Sequence, residues 1–232
     1  MHIIIRACGE RTEQRCIKLA AKQGEVHVIH ACPFGESIRQ TYKLALELGQ
    51  EWIPVVDADV LLYSGTLARG IYRLNKSKKN IFCLDGKTDD KIMMRRRRAG
   101  VHIYRTSLLR QALRFVEDDK TKPESHVRKM MERKGYKTSV GSVVYGCHDY
   151  EQYYRDLWRK SVAQSHKLAG MITRRTIAQW AMKSVKDKDY RVILAAHQHG
   201  KQIHNKICID SRLCYGAEAG MRELNIKEKP EL

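Results

Sequence analysis

Trp52-Ile53-Pro54-Val55-Val56-Asp57-Ala58-Asp59-Val60-Leu61-Leu62 is an apolar, Val-rich run broken only by two carboxylates, at positions 57 and 59. Its composition predicts a buried strand, because branched aliphatic side chains fit a pleated, covered surface. Residues two apart on a strand point to the same side, so Asp57 and Asp59 are expected to sit together. Two such charges do not stay buried without a counter-charge. A hard cation such as Mg2+ or Mn2+ offsets their repulsion, bridges phosphate oxygens and neutralises a departing diphosphate. The plainer alternative is a solvated strand end whose acids meet Arg or Lys, since Asp-x-Asp is short enough to occur by chance.

Upstream, His2 to Ala7 and Val26 to Cys32 read as strands, and Thr12 to Lys22 and Glu36 to Leu48 as helices, the second closed by Gly49. The acid pair therefore follows two strand–helix units, beyond the carboxyl end of a strand, where α/β sheets place ligands. Downstream, Thr66 to Leu74 reads as a helix, Asn80 to Leu84 as a strand and Asp85 to Asp90 as a polar turn. Gly100 to Tyr104 follows as a strand, Ser107 to Val116 and the segment opened by Pro123 as helices, and Thr138 to Tyr145 as a strand. From about Tyr150 to Ala196 the pattern is helical. The expected architecture is α/β, a mainly parallel, Rossmann-like sheet flanked by helices: residues 1–149 form the core, and 150–232 a mostly helical basic extension packed on it.

Charge divides along the same line. The chain has 44 Lys and Arg against 26 Asp and Glu, a net +18. Residues 1–90 hold 13 basic and 11 acidic side chains, which leaves 31 against 15, or +16, for residues 91–232. A polyanionic partner is expected to meet the second part. The seven cysteines form no CxxC pair and several lie in apolar runs, as in a protein of the reducing cytoplasm, a host's if the source is viral. No signal peptide or membrane span is legible.

The opening strand running into Arg6-Ala7-Cys8-Gly9-Glu10-Arg11-Thr12, Pro33-Phe34 after the second strand, and the strand ending in Asp57-Ala58-Asp59 together resemble the GT-A nucleotide-sugar glycosyltransferases, family-2-like enzymes in particular. The resemblance covers about residues 1 to 150. It implies an enzyme whose loop from Arg6 to Thr12, including Ala7 and Gly9, borders a nucleoside-diphosphate sugar, a UDP-sugar foremost. Asp57 with Ala58 would lie against the ribose or metal, Asp59 would ligate Mn2+ or Mg2+, and Arg11 or Lys43 would contact phosphate. Taken singly, Arg6 and Arg11 also read as ordinary surface charges flanking a strand.

Such folds often add a metal ligand from beyond the core, and His148 in Gly146-Cys147-His148-Asp149-Tyr150 is the residue expected to supply it. Its neighbour Asp149 reads equally as a helix cap with His148 a bystander. His197, His199 and His204, near Cys208 and Cys214, are the runner-up set, with a zinc site as a further reading. An inverting enzyme needs a carboxylate to accept the acceptor's proton. Glu124, opening a helix after the Gly100 strand, resembles the place where inverting GT-A enzymes carry it, although an acid there also complements the helix dipole. Asp90 and Asp89 are the alternatives.

Arg95-Arg96-Arg97-Arg98, with His102 just beyond, is expected at the mouth where the acceptor arrives. Four adjacent guanidinium groups exceed what solubility requires and call for an anion. Hydroxymethylated bases of viral DNA fit best, and a cell-surface polysaccharide or lipid-linked glycan is the alternative. The stretch Tyr153 to Ile177, with Leu157, Trp158, Val162, Leu168, Met171 and Ile172, keeps the membrane reading open. A nucleotidyltransferase would also use an acidic strand and metal, but usually opens with a Gly-rich phosphate loop, and residues 6 to 12 hold one glycine. A non-enzymatic basic nucleic-acid-binding protein explains +18 and leaves the acid pair without purpose.

Overall fold

The computed structural model describes residues 1–118, 120, 122–167, 171–203 and 215–232. The chain runs through β1 (His2–Ala7), α1 (Glu13–Ala21), β2 (Glu25–His30), α2 (Phe34–Leu48) and β3 (Trp52–Asp57). At Ala58-Asp59 it leaves the sheet and re-enters at the far edge as β4 (Val60–Leu62). The stretch expected as a single strand is thus two strands joined by a turn. The turn carries Asp59 out of the sheet interior to a place where cations meet it.

After α3 (Thr66–Asn75) come β5 (Ile81–Asp90) and β6 (Arg95–Arg105). The segment expected as a polar turn, 85–90, is strand. Its acids lie opposite the arginines of β6, with Asp89 paired to Arg96 and Asp90 to Arg95 in register. Cross-strand charge pairing stabilises a ladder that composition alone would have called a loop. The helix expected over 107–116 is broken into a four-residue α4 (Leu109–Ala112) between two 3-10 turns. Then follow α5 (Pro123–Arg133), β7 (Lys137–His148), α6 (Tyr154–Lys167), α7 (Arg174–Ser184), α8 (Lys188–Gln202) and α9 (Ala217–Glu223).

The seven strands form one mixed sheet in the order β2-β1-β3-β6-β5-β7-β4. The expected parallel pairing is present in β2-β1-β3 and again in β5-β7. β6 lies antiparallel to β3 and β5, and β4 antiparallel to β7. The antiparallel element arises because β5 returns directly as β6 through a short turn, with no crossover helix to restore direction.

Alternation along β1 supplies both faces of the core: Ile3 and Ile5 pack on one side with Val56, Leu67 and Tyr145, and Ile4 on the other with Tyr42, Ile53 and Tyr104. All three isoleucines are fully buried, each contributing about 1.5–3 kcal/mol of transfer free energy. Gly49 closes α2 at φ 67°, the left-handed geometry that glycine adopts without a Cβ penalty. A third apolar cluster joins α6, α7, α8 and α9 to Ile92 and Met94 of the β5–β6 turn. Trp180 Nε1 donates to the Ile92 carbonyl at 2.7 Å, and Lys91 pairs with buried Asp189. The helical part is therefore bolted to the sheet at that turn.

Candidate active site

Arg6 is the penultimate residue of β1, Asp57 ends β3, and the strands lie side by side in parallel, so the two residues are register partners. Arg6, 4% exposed, is the hub. Its Nε donates to Asp57 Oδ1 at 2.8 Å, with Nη2 in ion-pair contact with the same oxygen at 2.7 Å, its Nη1 donates to Glu124 Oε1 at 3.0 Å, and its guanidinium stacks over Phe34 at 4.9 Å. Glu124, at the head of α5, also accepts from Tyr104 Oη, and its Oε2 lies 2.9 Å from His102 Nε2. His102 Nδ1 in turn meets Asp85 at 3.1 Å. Burial resists ionisation of Glu124, but Arg6 and His102 outweigh it and hold the carboxyl well below its ordinary range. His102 is raised well above the usual imidazole value, Glu124 and Asp85 overcoming its burial.

Asp59 belongs to a second group. The antiparallel register sets Val60 opposite His148, and the Asp149 N–H donates to the Asp59 carbonyl at 3.1 Å. Asp59, His148 and Asp149 thereby converge, each with an acceptor or ring nitrogen within 4.8 Å of the others. His148 Nε2 lies 3.5 Å from Asp59 Oδ1, and Nδ1 lies 2.9 Å from Asp90 and 3.0 Å from Asp149. Burial works against charge on His148, but Asp149 and Asp59 prevail and push its pKa up to about 10. Gly100 passes beneath this ring. A Cβ there would stand 3.0 Å from His148 Cδ2 and 2.4 Å from Val60 Cγ2, and φ is 67°. Asp149 holds φ 63° while fully buried, the local strain that functional sites tolerate.

Lys160, on α6, reads in the sequence as one of many basic groups of the second part that could track phosphates; the structure places it in the acid cluster. Its ammonium bonds both Asp59 Oδ2 and Asp149 Oδ1. Burial disfavours that charge, yet the two carboxylates raise its pKa. No spacing signal links position 160 to position 59; only the docking of the helical part brings them together. Glu10 was missed as a titrating group. Burial, with Asp59 nearby, lifts it to about 7, while its Oε2 accepts from the Cys8 N–H at 2.6 Å.

A cavity of about 1080 Å³ unites both groups, lined by Arg6, Glu10, Asp57, Asp59, Glu124, His148, Asp149 and Lys160 and rimmed by Arg95, Arg96, Arg97 and Arg98. Its lining carries eleven Lys and Arg against seven Asp and Glu. The four arginines lie within β6 and not before it: Arg96 pairs with Asp89 at 2.8 Å, Arg97 with Asp90, and Arg98 lies 3.9 Å from Asp85. Asp90, 2% exposed, thus supports His148 and Arg97. His102 lies in the cavity wall with both ring nitrogens committed.

Other expected residues fall elsewhere. Arg11 binds the Pro230 carbonyl at 2.6 Å and Glu151 at 3.2 Å, fastening the first loop to the C-terminal segment. Lys43 is exposed on α2, outside the cavity lining. Ala7 and Ala58 are buried beside the site, and Gly9 is exposed at φ 81°. His197 is buried against the Trp180 ring, 5.3 Å between centroids, and His199 lies 5.6 Å from the Trp158 ring. His204, Cys208 and Cys214 lie outside the described residues.

The donor set passes a chemical test for a divalent cation. Asp59 Oδ1 and Asp149 Oδ2 lie 3.5 and 3.0 Å from the His148 ring nitrogens, so two buried carboxylates, the hard ligand type that Mg2+ and Mn2+ take, converge with one imidazole. Asp57 is engaged with Arg6 and is not among the converging ligands.

No protein-family model and no curated protein matches the sequence. Three solved structures illustrate its likenesses. The mannosyltransferase PcManGT from Pyrobaculum calidifontis, in complex with GDP-Man and Mn2+, has 13% identity and a TM-score of 0.48 over 97% of this chain and 74% of that one. A glycosyltransferase involved in glycosylation of the major capsid of PBCV-1 has 10% identity and a TM-score of 0.44 over 65% and 92%. A cytidylyltransferase from Leptospira borgpetersenii has 12% identity and a TM-score of 0.40 over 62% and 76%. Likeness at this level does not by itself assign an activity.

Proposed function

We propose that the protein is a glycosyltransferase that moves a sugar from a nucleoside-diphosphate sugar to a hydroxyl on a polyanionic acceptor. The observation that carries the reading is one basic cavity holding both a cation-binding acid cluster at Asp59, His148 and Asp149 and a separate buried carboxylate, Glu124, at a helix head. Asp59, His148 and Asp149 would hold Mn2+ or Mg2+. When bound, such an ion offsets the charge of the departing diphosphate.

Glu124 takes the acceptor's proton in this proposal. Its ion pairs keep it ionised but lower its basicity, and displacing Arg128, at 3.8 Å its most distant cation, both admits the acceptor hydroxyl and restores part of the carboxylate's proton affinity. Asp57 stays fixed by Arg6 at the nucleotide end. Excess positive charge in the lining suits the phosphates of a nucleotide sugar, a UDP-sugar foremost, and the β6 arginines suit an anionic acceptor. For that acceptor we favour hydroxymethylated bases of viral DNA. The apolar residues that would have supported a membrane-lying helix, Leu157, Trp158 and Val162, are spent on the third core cluster. Among the described residues no helix is long and apolar enough to cross a membrane.

Thermal unfolding with a panel of nucleotide sugars, with and without Mn2+, tests the proposal. A donor at 100 times its Kd adds about 2.7 kcal/mol, or roughly 5–11 °C for a chain of this size. Asp59→Asn is expected to abolish that shift and donor hydrolysis. If no nucleotide sugar stabilises or is turned over by the parent protein, the proposal fails. Transfer to hydroxymethylated DNA, falling steeply with salt, supports the acceptor assignment, and salt-independent transfer to an uncharged glycan refutes it.

A further inference from the structure

Lys160 is a cation already seated where a divalent ion would bind. Asp59 and Asp149 each give one oxygen to its ammonium, and their second oxygens, Asp59 Oδ1 and Asp149 Oδ2, face the His148 ring nitrogens at 3.5 and 3.0 Å. Lys160 is the ammonium paired with Asp59 and Asp149, as Arg97 is the guanidinium paired with Asp90. A divalent ion on the same carboxylates would stand against the ammonium in a poorly screened interior, where like charges repel strongly. Both cannot hold the pair at once.

Lys160 has somewhere to go. It lies on one face of α6 with Ala163 and Gln164, one turn on, and all three line the cavity. A flexible four-carbon stem lets the ammonium leave the carboxylates and remain in the cavity. There it needs a new anion. We propose that Lys160 and the divalent cation compete for Asp59 and Asp149, and that Lys160, once displaced, binds the diphosphate of the nucleotide. This rests on the transferase reading and assigns Lys160 the role of coupling metal entry to donor entry. The ion alone binds weakly because it must evict Lys160. With a nucleoside diphosphate present the evicted ammonium is re-paired, so each ligand strengthens the other by the same factor.

Mn2+ titration of the full chain, by electron paramagnetic resonance or calorimetry, with and without UDP or GDP, tests this in the parent, Lys160→Met and Lys160→Gln. In the parent, the diphosphate is expected to tighten Mn2+ binding about tenfold or more, an ordinary coupling. Both variants are expected to bind Mn2+ alone more tightly than the parent, by about tenfold, and to lose most of the coupling. They should also melt lower than the parent without Mn2+ and recover with it, because the ion replaces the missing charge between two buried carboxylates. Unchanged Mn2+ affinity in both variants, or melting that Mn2+ does not restore in either, overturns the proposal. If the parent binds the diphosphate in the presence of Mn2+, that failure is confined to Lys160. If the parent binds neither UDP nor GDP under any condition, the transferase reading falls and this proposal with it.

Discussion

Glu124→Gln removes one negative charge from the centre of a buried ionic chain while keeping volume and one acceptor oxygen for Tyr104. Breaking a buried pair by deleting one partner costs about 3–5 kcal/mol when the other is left unpaired. Here the stranded cations keep second partners: Arg6 retains Asp57 at 2.7 Å, and His102 retains Asp85 at 3.1 Å. The expected loss is therefore at the low end, about 3 kcal/mol at pH 7, or roughly 6–12 °C in melting temperature for a chain of this length. Urea unfolding followed by circular dichroism from pH 3 to pH 9 reads it out. Glu124 is depressed in the folded state, so its contribution is fully present above the unfolded carboxyl value, about 4.3, and is lost as pH falls through the lower folded value. His102 is raised, so its contribution is complete below about 6.5 and is lost as pH rises through the folded value. In the variant His102 loses its main counter-charge, so the variant should weaken at a lower pH on the alkaline side than the parent. A difference under about 1 kcal/mol at pH 7, or one that grows as pH falls below 4, would refute the ionic account. Activity at a temperature where both proteins are folded tests the proton-acceptor role, with kcat expected to fall about 10²-fold or more.

Glu10→Gln is expected to stabilise the protein above pH 7 and to change nothing below pH 4, because Glu10 titrates near 7 when folded and opposes folding once ionised; parallel unfolding curves across the range would contradict this. Gly100→Ala places a methyl group 2.4 Å from Val60 Cγ2 at φ 67°, at an expected cost of about 3 kcal/mol from overpacking and left-handed strain together. A change within 0.5 kcal/mol, roughly the surface range, would deny that β6 must pass so close to His148. Replacing Arg96 and Arg98 with Ser should weaken acceptor binding across all sequences and lower the slope of log affinity against log salt by about 2. An unchanged slope would place the acceptor on another surface.

Much of the fold was legible at residue level. The Ile3–Ile5 run, the helical spacing of α1 and α2, Gly49 at a helix end and the Val55-Val56-Asp57 strand all carry short-range periodicity that sterics and burial translate directly into local structure. The polar strand 85–90 was not legible, because its pairing with Arg95 to Arg98 comes from charge across a ladder and not from apolar alternation. Nor was the turn at Ala58, since β4 takes its partner from β7, more than eighty residues later.

The sequence by itself determined the kind of chemistry on offer: two carboxylates at a strand end, a late His-Asp pair, and a strongly basic second part. Charge, residue type and strand period are local properties and survive without coordinates. Which charges meet was decided only in three dimensions. β1–β3 register gives Asp57 to Arg6, β4–β7 register gives Asp59 to His148 and Asp149, and docking of α6 sets Lys160 between the last two carboxylates. Buried ion pairs depend on a few ångströms of separation and on exclusion of water, and both are fixed by long-range packing.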